Sequence, residues 1–153
     1  MQSFPITFVW RHRRENLNKC SLRGLESRSD FQFFSYPNEI LPNLTNYIML
    51  KLDAPPLSSA DGSKGLFVID ATWRYAEKMV VAAIEQQPQI EFRSIPDHYR
   101  TAYPRRQDDC FDPERGLASI EAIYISYVLL GRDVTGLLDG YHWKDKFLKM
   151  NGF

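Results

Sequence analysis

Apolar and polar positions along the chain follow two different periods. Residues 3–10 are apolar and β-branched and predict a first strand. Phe31–Tyr36 predicts a second and residues 47–52 a third. Gly65–Asp70, GLFVID, is a short continuous apolar run, the pattern of a strand buried on both faces of a parallel sheet. The period then lengthens. Ala76, Met79, Val80, Ala83 and Ile84 recur at i, i+3, i+4, i+7 and i+8, one face of a helix, and Pro88 ends it. Residues 90–95 predict another strand. Ser119–Leu130 returns to helical spacing through Ile120, Ile123, Tyr124 and Tyr127, with Gly131 placed to terminate it. Residues 134–150 predict a last amphipathic helix, with Leu137, Leu138, Tyr141 and Phe147 available to pack. Strands alternating with helices imply an α/β domain: a mostly parallel sheet with flanking helices.

Between these elements lie three polar stretches. Residues 54–64 carry Pro55, Pro56 and Gly62 and read as a loop. Residues 99–116 are irregular and rich in Pro, Arg and Asp; so long a loop in a small domain is often functional. Residues 11–30 hold six basic side chains (Arg11, Arg13, Arg14, Lys19, Arg23, Arg28) against three acidic ones (Glu15, Glu26, Asp30), a local charge of +3.

That local excess matters because the whole chain is neutral, with 19 Lys and Arg against 19 Asp and Glu. Zero net charge argues against a protein held on nucleic acid by bulk electrostatics, but not against a basic patch balanced by acid elsewhere. The length of 153 residues fits one domain, and 44% hydrophobic residues exclude a disordered or low-complexity chain. Cys20 and Cys110 alone make neither a disulfide scaffold nor a four-ligand zinc site. His12, His98 and His142 lie too far apart for a metal motif, so no metal is expected. The apolar start precedes its charges, unlike a signal peptide, and no run approaches a membrane span. A soluble, reduced, cytoplasmic protein is expected, and with no apolar stripe demanding a partner, a monomer.

Two places could carry chemistry, because open α/β sheets bind ligands beyond the carboxyl ends of their strands. One is Asp70-Ala71-Thr72-Trp73, where a charge ends the most apolar strand and an aromatic opens the next helix. A helix cap and a core-filling indole would also account for these residues. The other is the loop running into the helix at Ser119, whose free N–H groups suit a polar ligand. Glu121 in that first turn complements the helix dipole. No P-loop, GxSxG or GxGxxG occurs.

Six segments in order resemble the DTW-domain superfamily. Asp70-Ala71-Thr72-Trp73 is similar to its D-x-x-W signature, Leu57-Ser58-Ser59-Ala60-Asp61 to L-S-P-A-D, and Leu117-Ala118-Ser119-Ile120-Glu121-Ala122 to L-S-T-A-E-A. Asn18-Lys19-Cys20-Ser21 resembles a K-C-T/S element, Arg93-Ser94-Ile95-Pro96 an R-x-L-P element, and Tyr141-His142-Trp143 through Phe147 to Asn151 the carboxyl-terminal F-x-W-G-x-x-F-x-x-x-N. The nearest branch is the small-subunit rRNA aminocarboxypropyltransferases; the tRNA branch usually carries an amino-terminal cysteine cluster, where this chain has Cys20 alone.

The resemblance implies a SPOUT-like fold with a carboxyl-terminal trefoil knot, formed by a single domain over residues 1–153: a basic amino-terminal segment (1–45) and a knotted S-adenosylmethionine-binding core (46–153). It implies transfer of the 3-amino-3-carboxypropyl group of S-adenosylmethionine to a uridine or pseudouridine base in RNA, rRNA of a ribosomal precursor ahead of tRNA, with no membrane partner. By family position, Trp73 and Ala76 would wall in the methyl and sulfonium region, where an aromatic face favours a cation. Ile95, Leu117 and Ile123 would line the adenine pocket, and Ser21 and Ser119 would serve the amino-acid end. Asp70 would face the ammonium or accept a proton from the base, as ligand or catalyst. Arg13, Arg14, Lys19, Arg23, Arg105 and Arg106 would contact phosphates.

The chain departs from the family at Ala118, where a Ser cap worth about 1 kcal/mol is usual. It also departs at Ser59, at Ala71-Thr72 and at Tyr103-Pro104, and Asp108, Asp109, Asp112 and Glu114 enlarge an acidic loop. Two other readings stand beside the transferase: a SPOUT-type RNA methyltransferase, against which the D-x-x-W pocket argues, and a non-catalytic ribosome-assembly protein that binds S-adenosylmethionine or RNA, which these departures keep open.

Overall fold

The computed structural model describes residues 4–13, 22–104 and 116–153, Trp73 by its backbone. Five strands form one sheet: β1 (Thr7–His12), β2 (Phe31–Tyr36), β3 (Tyr47–Leu50), β4 (Gly65–Asp70) and β5 (Glu91–Arg93). Their order is β2-β1-β4-β3-β5 and every pairing is parallel. Three α-helices are described: α1 (Trp73–Gln86), α2 (Ser119–Leu130) and α3 (Lys144–Met150). None is long and apolar enough to cross a membrane.

Side chains alternate across the sheet and build a separate core on each face. Val9, Ile48, Leu66 and Val68 pack with α2 and the carboxyl-terminal segment through Ile120, Ile123, Ile125 and Phe147. Trp10, Met49 and Phe67 pack on the other face with Met79 and Ala83 of α1. Central β4 supplies both cores, which is why GLFVID lacks polar alternation. α2 buries residues all round, Glu121 and Ser126 among them, so it is an interior helix.

Several boundaries differ from the hydrophobic pattern. The first strand spans Thr7–His12 instead of residues 3–10, because its pairing with β2 and β4 carries it through Arg11, opposite Asp70. The third stops at Leu50, for Leu52 is 75% exposed and Asp53 takes a left-handed φ of 62°. The fifth is reduced to Glu91–Arg93, followed by one bridge between Ser94 and Pro56. Ile84 lies at the edge of the α1 stripe and is 36% exposed.

The largest correction concerns residues 134–150, of which only Lys144–Met150 is α-helix. Consecutive turns, with Leu137, Asp139 and Tyr141 N–H groups bonding carbonyls three residues back, carry the chain through 134–141. Gly136 has φ +80°, and a Cβ on Gly140 would meet the Arg23 carbonyl at 3.0 Å. Leu137, Leu138, Tyr141 and Phe147 are nonetheless all buried: turns closing every three residues deliver the same inward side chains as a helix.

Candidate functional site

The connections select one end of the sheet. β1 leads toward β2 on one side, whereas β4 leads through α1 to β5 on the other. The strand order thus reverses between neighbours β1 and β4, and parallel sheets bind ligands beyond the carboxyl ends at such a point. Arg11, His12 and Asp70 stand there.

Arg11 and Asp70 face each other across the strand pair. Arg11 Nε donates to Asp70 Oδ2 at 3.1 Å, and Ser119 Oγ, from the first turn of α2, donates to Asp70 Oδ1 at 3.1 Å. The Arg11 guanidinium lies 4.5 Å above the Phe33 ring and 3.6 Å from Glu26 Oε2. The two side chains are only 12% and 5% exposed, so this is a buried pair whose disruption strands a charge. Asp70 therefore does not cap α1; Thr72 holds that position, without a side-chain cap. On the opposite face His12 stacks on Tyr75 of α1 at 4.1 Å and 14°.

A cavity of about 820 Å³ opens beyond the carboxyl ends of β3 and β5. Leu50 ends β3 in its wall and Leu52 follows, Ile95 and Tyr99 follow β5, Leu117 comes from the approach to α2 and Ala122 from α2 itself. Asp53, Ser94 and Asp97 add polar groups to this apolar lining. The β5 wall is braced by Asp61, which accepts from the Ser58 N–H and from Arg93 Nε and lies 3.5 Å from Lys64 Nζ. Burial opposes ionisation of Asp61, but the Ser58 N–H, Arg93 and Lys64 outweigh it and hold its carboxyl below the ordinary range. The Leu57–Asp61 motif is thus a brace: Ser58 and Asp61 form a reciprocal cap of the 3₁₀ turn Ser59–Asp61.

α2 begins after Ala118, without a Ser in the cap position. Ala118 offers no side-chain acceptor, but its own N–H donates to Glu121 Oε1 at 2.8 Å. Glu121 is fully buried, and dipole complementarity is only part of its role. Its carboxylate also accepts from Thr101 Oγ1 at 2.6 Å, Ala102 N at 2.8 Å and the Tyr141 hydroxyl at 2.9 Å.

Of the residues read as cofactor-binding, Ile95 and Leu117 line the cavity; Asp70 and Ser119 bond each other at the carboxyl end of β4 and are not among its lining residues. Ala76 is half-buried in α1, one turn beyond Trp73, which opens that helix. Ile123 is completely buried in the core, and Ala122, its neighbour, lies in the cavity wall. Arg13 and Arg23 are exposed; Ser21, Arg14, Lys19, Arg105, Arg106 and the acidic loop lie outside the described residues. Arg11 and Arg28, counted toward the basic segment, are paired with Asp70 and Asp30, so the charge available there is smaller than the residue count. Sequence reasoning missed Arg11, Tyr99 and the second role of Glu121. The parity Val9–Arg11 on one strand was the only signal for the first.

No protein-family model and no curated protein sequence matches the chain. Among solved structures, the chain resembles "Structure of the SAM-dependent rRNA:acp-transferase Tsr3 from Vulcanisaeta distributa", at 23% identity and a TM-score of 0.76, covering 98% of this chain and 80% of that one. At that identity the likeness establishes a shared α/β fold.

Proposed function

We propose that this protein transfers the 3-amino-3-carboxypropyl group of S-adenosylmethionine to a uridine or pseudouridine base of RNA, with small-subunit rRNA as the first candidate. The observation that carries the reading is the cavity beyond the carboxyl ends of parallel strands, at the same end of the sheet as the Arg11–Asp70–Ser119 group of the β1–β4 switch point. The solved neighbour, a SAM-dependent rRNA:acp-transferase, supports it through the common fold. A SPOUT-like topology with a carboxyl-terminal knot belongs to the same reading, as does a single domain over the whole chain.

The residues suit the group. About 820 Å³ falls within the range of roughly 300–1,000 Å³ typical of cofactor pockets. Apolar walls at Leu50, Ile95, Tyr99 and Leu117 fit a planar base, and the Asp70 carboxylate fits a cationic amino-acid end. When bound, S-adenosylmethionine supplies a sulfonium leaving group and an electrophilic side-chain carbon. The chain's contribution is orientation, the main requirement of a displacement with a good leaving group. Ile95 and Leu117 exclude water around the base. In this reading Trp73 and Ala76 would wall in the methyl, so that the aminocarboxypropyl carbon would be the one offered to the RNA. Ser119 and Arg11 hold Asp70 in one rotamer, where it orients the ammonium or takes the proton leaving the base nitrogen. Arg13 and Arg23 are available to phosphates.

The test incubates the protein with rRNA and tRNA and two labelled co-substrates, one labelled in the methyl and one in the carboxyl carbon. Label entering RNA from the carboxyl carbon alone establishes the transfer. Methyl label supports a methyltransferase, and neither, with binding retained, supports a non-catalytic ribosome-assembly protein.

A further inference from the structure

The structure assigns Glu121 as the positioning residue of the cavity: its buried carboxylate joins the two walls between which the ligand would lie. The inference rests on the reading that this cavity holds S-adenosylmethionine. Both walls belong to segments without regular secondary structure. One is the Tyr99 segment, running on to Thr101 and Ala102; the other is Gly116–Leu117, leading into Ala118 and α2. Neither is secured by strand pairing, so their separation depends on tertiary bonds.

Glu121 supplies those bonds to both. Oε1 accepts from the Thr101 hydroxyl at 2.6 Å and from the Ala118 N–H at 2.8 Å, linking one wall to the other through one atom. Oε2 accepts from the Ala102 N–H at 2.8 Å and from the Tyr141 hydroxyl at 2.9 Å, tying the pair to the carboxyl-terminal segment. Thr101 relays the arrangement, its Oγ1 accepting from the Tyr103 N–H at 3.0 Å. Four donors meet four acceptor sites of one carboxylate, which no neutral side chain offers together. Ala122, the next residue, is itself in the cavity wall, so a shift of Glu121 is felt directly at the ligand. The Tyr99 segment has a second tie: Asn151 accepts from the Arg100 N–H at 2.8 Å and donates to the Arg100 carbonyl at 2.9 Å. That tie fixes the segment from outside, whereas Glu121 bonds it to the facing wall.

The experiment compares Glu121→Gln with Thr7→Val in the full chain. Thr7 bonds the Tyr127 hydroxyl at the far end of the sheet, so its loss destabilises the protein without touching the cavity. Glutamine keeps the shape but turns an NH₂ toward two donors. S-adenosylmethionine affinity by calorimetry, KM and kcat, melting temperature, and hydrogen exchange over residues 99–103 and 116–118 are measured for both. Glu121→Gln is expected to weaken binding roughly tenfold to 100-fold and to raise KM by a like factor, with kcat within about twofold. Thr7→Val is expected to lower the melting temperature with binding unchanged. Equal affinity in Glu121→Gln and wild type overturns the assignment, as does an equal loss in both variants. If the wild type binds no S-adenosylmethionine, the ligand reading fails separately. Exchange then decides the wall role: faster in both segments for Glu121→Gln alone supports it, and unchanged exchange overturns it.

Discussion

The two ends of the sheet bury polar groups in comparable number and to opposite effect. At the amino end, Thr7 Oγ1 meets the Tyr127 hydroxyl at 2.7 Å, and Asp30 is held by Arg28 Nε and Nη2 at 2.9 and 3.0 Å. Arg132 lies over the Phe4 and Tyr127 rings and donates to the Lys64 carbonyl. These groups close the start of β1 and β2 onto the end of α2. At the carboxyl end, Arg11, Asp70, Ser119 and Glu121 are bonded as well, but Leu117 and Ala122, which flank Ser119 and Glu121 in sequence, line open volume. One arrangement ends in packed rings and the other in a cavity. Buried polarity alone therefore does not mark a site; buried polarity beside unfilled space does.

Substitutions at the carboxyl end should produce the largest functional effect. Trp73→Ala is expected to abolish S-adenosylmethionine binding in titration calorimetry, and unchanged affinity would refute the pocket assignment. Asp70→Asn is expected to lower kcat/KM at least about 100-fold, within the range of a proton-transfer group. A rise confined to KM would identify Asp70 as the ammonium contact; a fall in kcat with an altered pH profile would identify it as the base.

The amino end should answer in stability instead. Burial pushes the Tyr127 hydroxyl from 10.0 up to about 12, outweighing the hydrogen bond from Thr7. The folded state then keeps its proton where the unfolded chain loses it. Stability is at its full value below pH 10 and declines between pH 10 and 12, by about 2–3 kcal/mol from this group. Denaturant unfolding across that range should show the decline, and Tyr127→Phe should flatten it. Thr7→Val should cost about 1–2 kcal/mol in urea unfolding, with S-adenosylmethionine affinity unaltered. Arg28→Gln, whose partner Asp30 is 39% exposed, should cost less than about 1 kcal/mol and less still in high salt. Loss of ligand affinity in either of these two variants would break the separation between the ends.

The carboxyl end was partly legible before folding. Asp70 stood out because a charge closed an otherwise apolar run, and the limits of α2 were readable from its spacing and from Gly131, which takes φ 76°. Arg11 was not legible: it counted as one more cation in a basic segment until β1 paired with a strand 59 residues away. Glu121 carried a correct local meaning, an acid in a first turn, and hid a nonlocal one, since Thr101 and Tyr141 reach it from 20 residues to either side. Residues 134–143 misled because inward-facing apolar positions at three- to four-residue spacing satisfy both a helix and a succession of turns.

The sequence by itself determined the layering: apolar runs with no alternation become strands covered on both sides, and a helix apolar all round becomes the interior one. Those outcomes depend on local periodicity and on removing hydrocarbon from water, which are properties of short segments. Only the tertiary structure decided which strands are neighbours, where their order reverses, and which carboxylates end in a closed cluster or at a cavity. These depend on contacts between segments far apart in the chain, whose geometry no local pattern encodes.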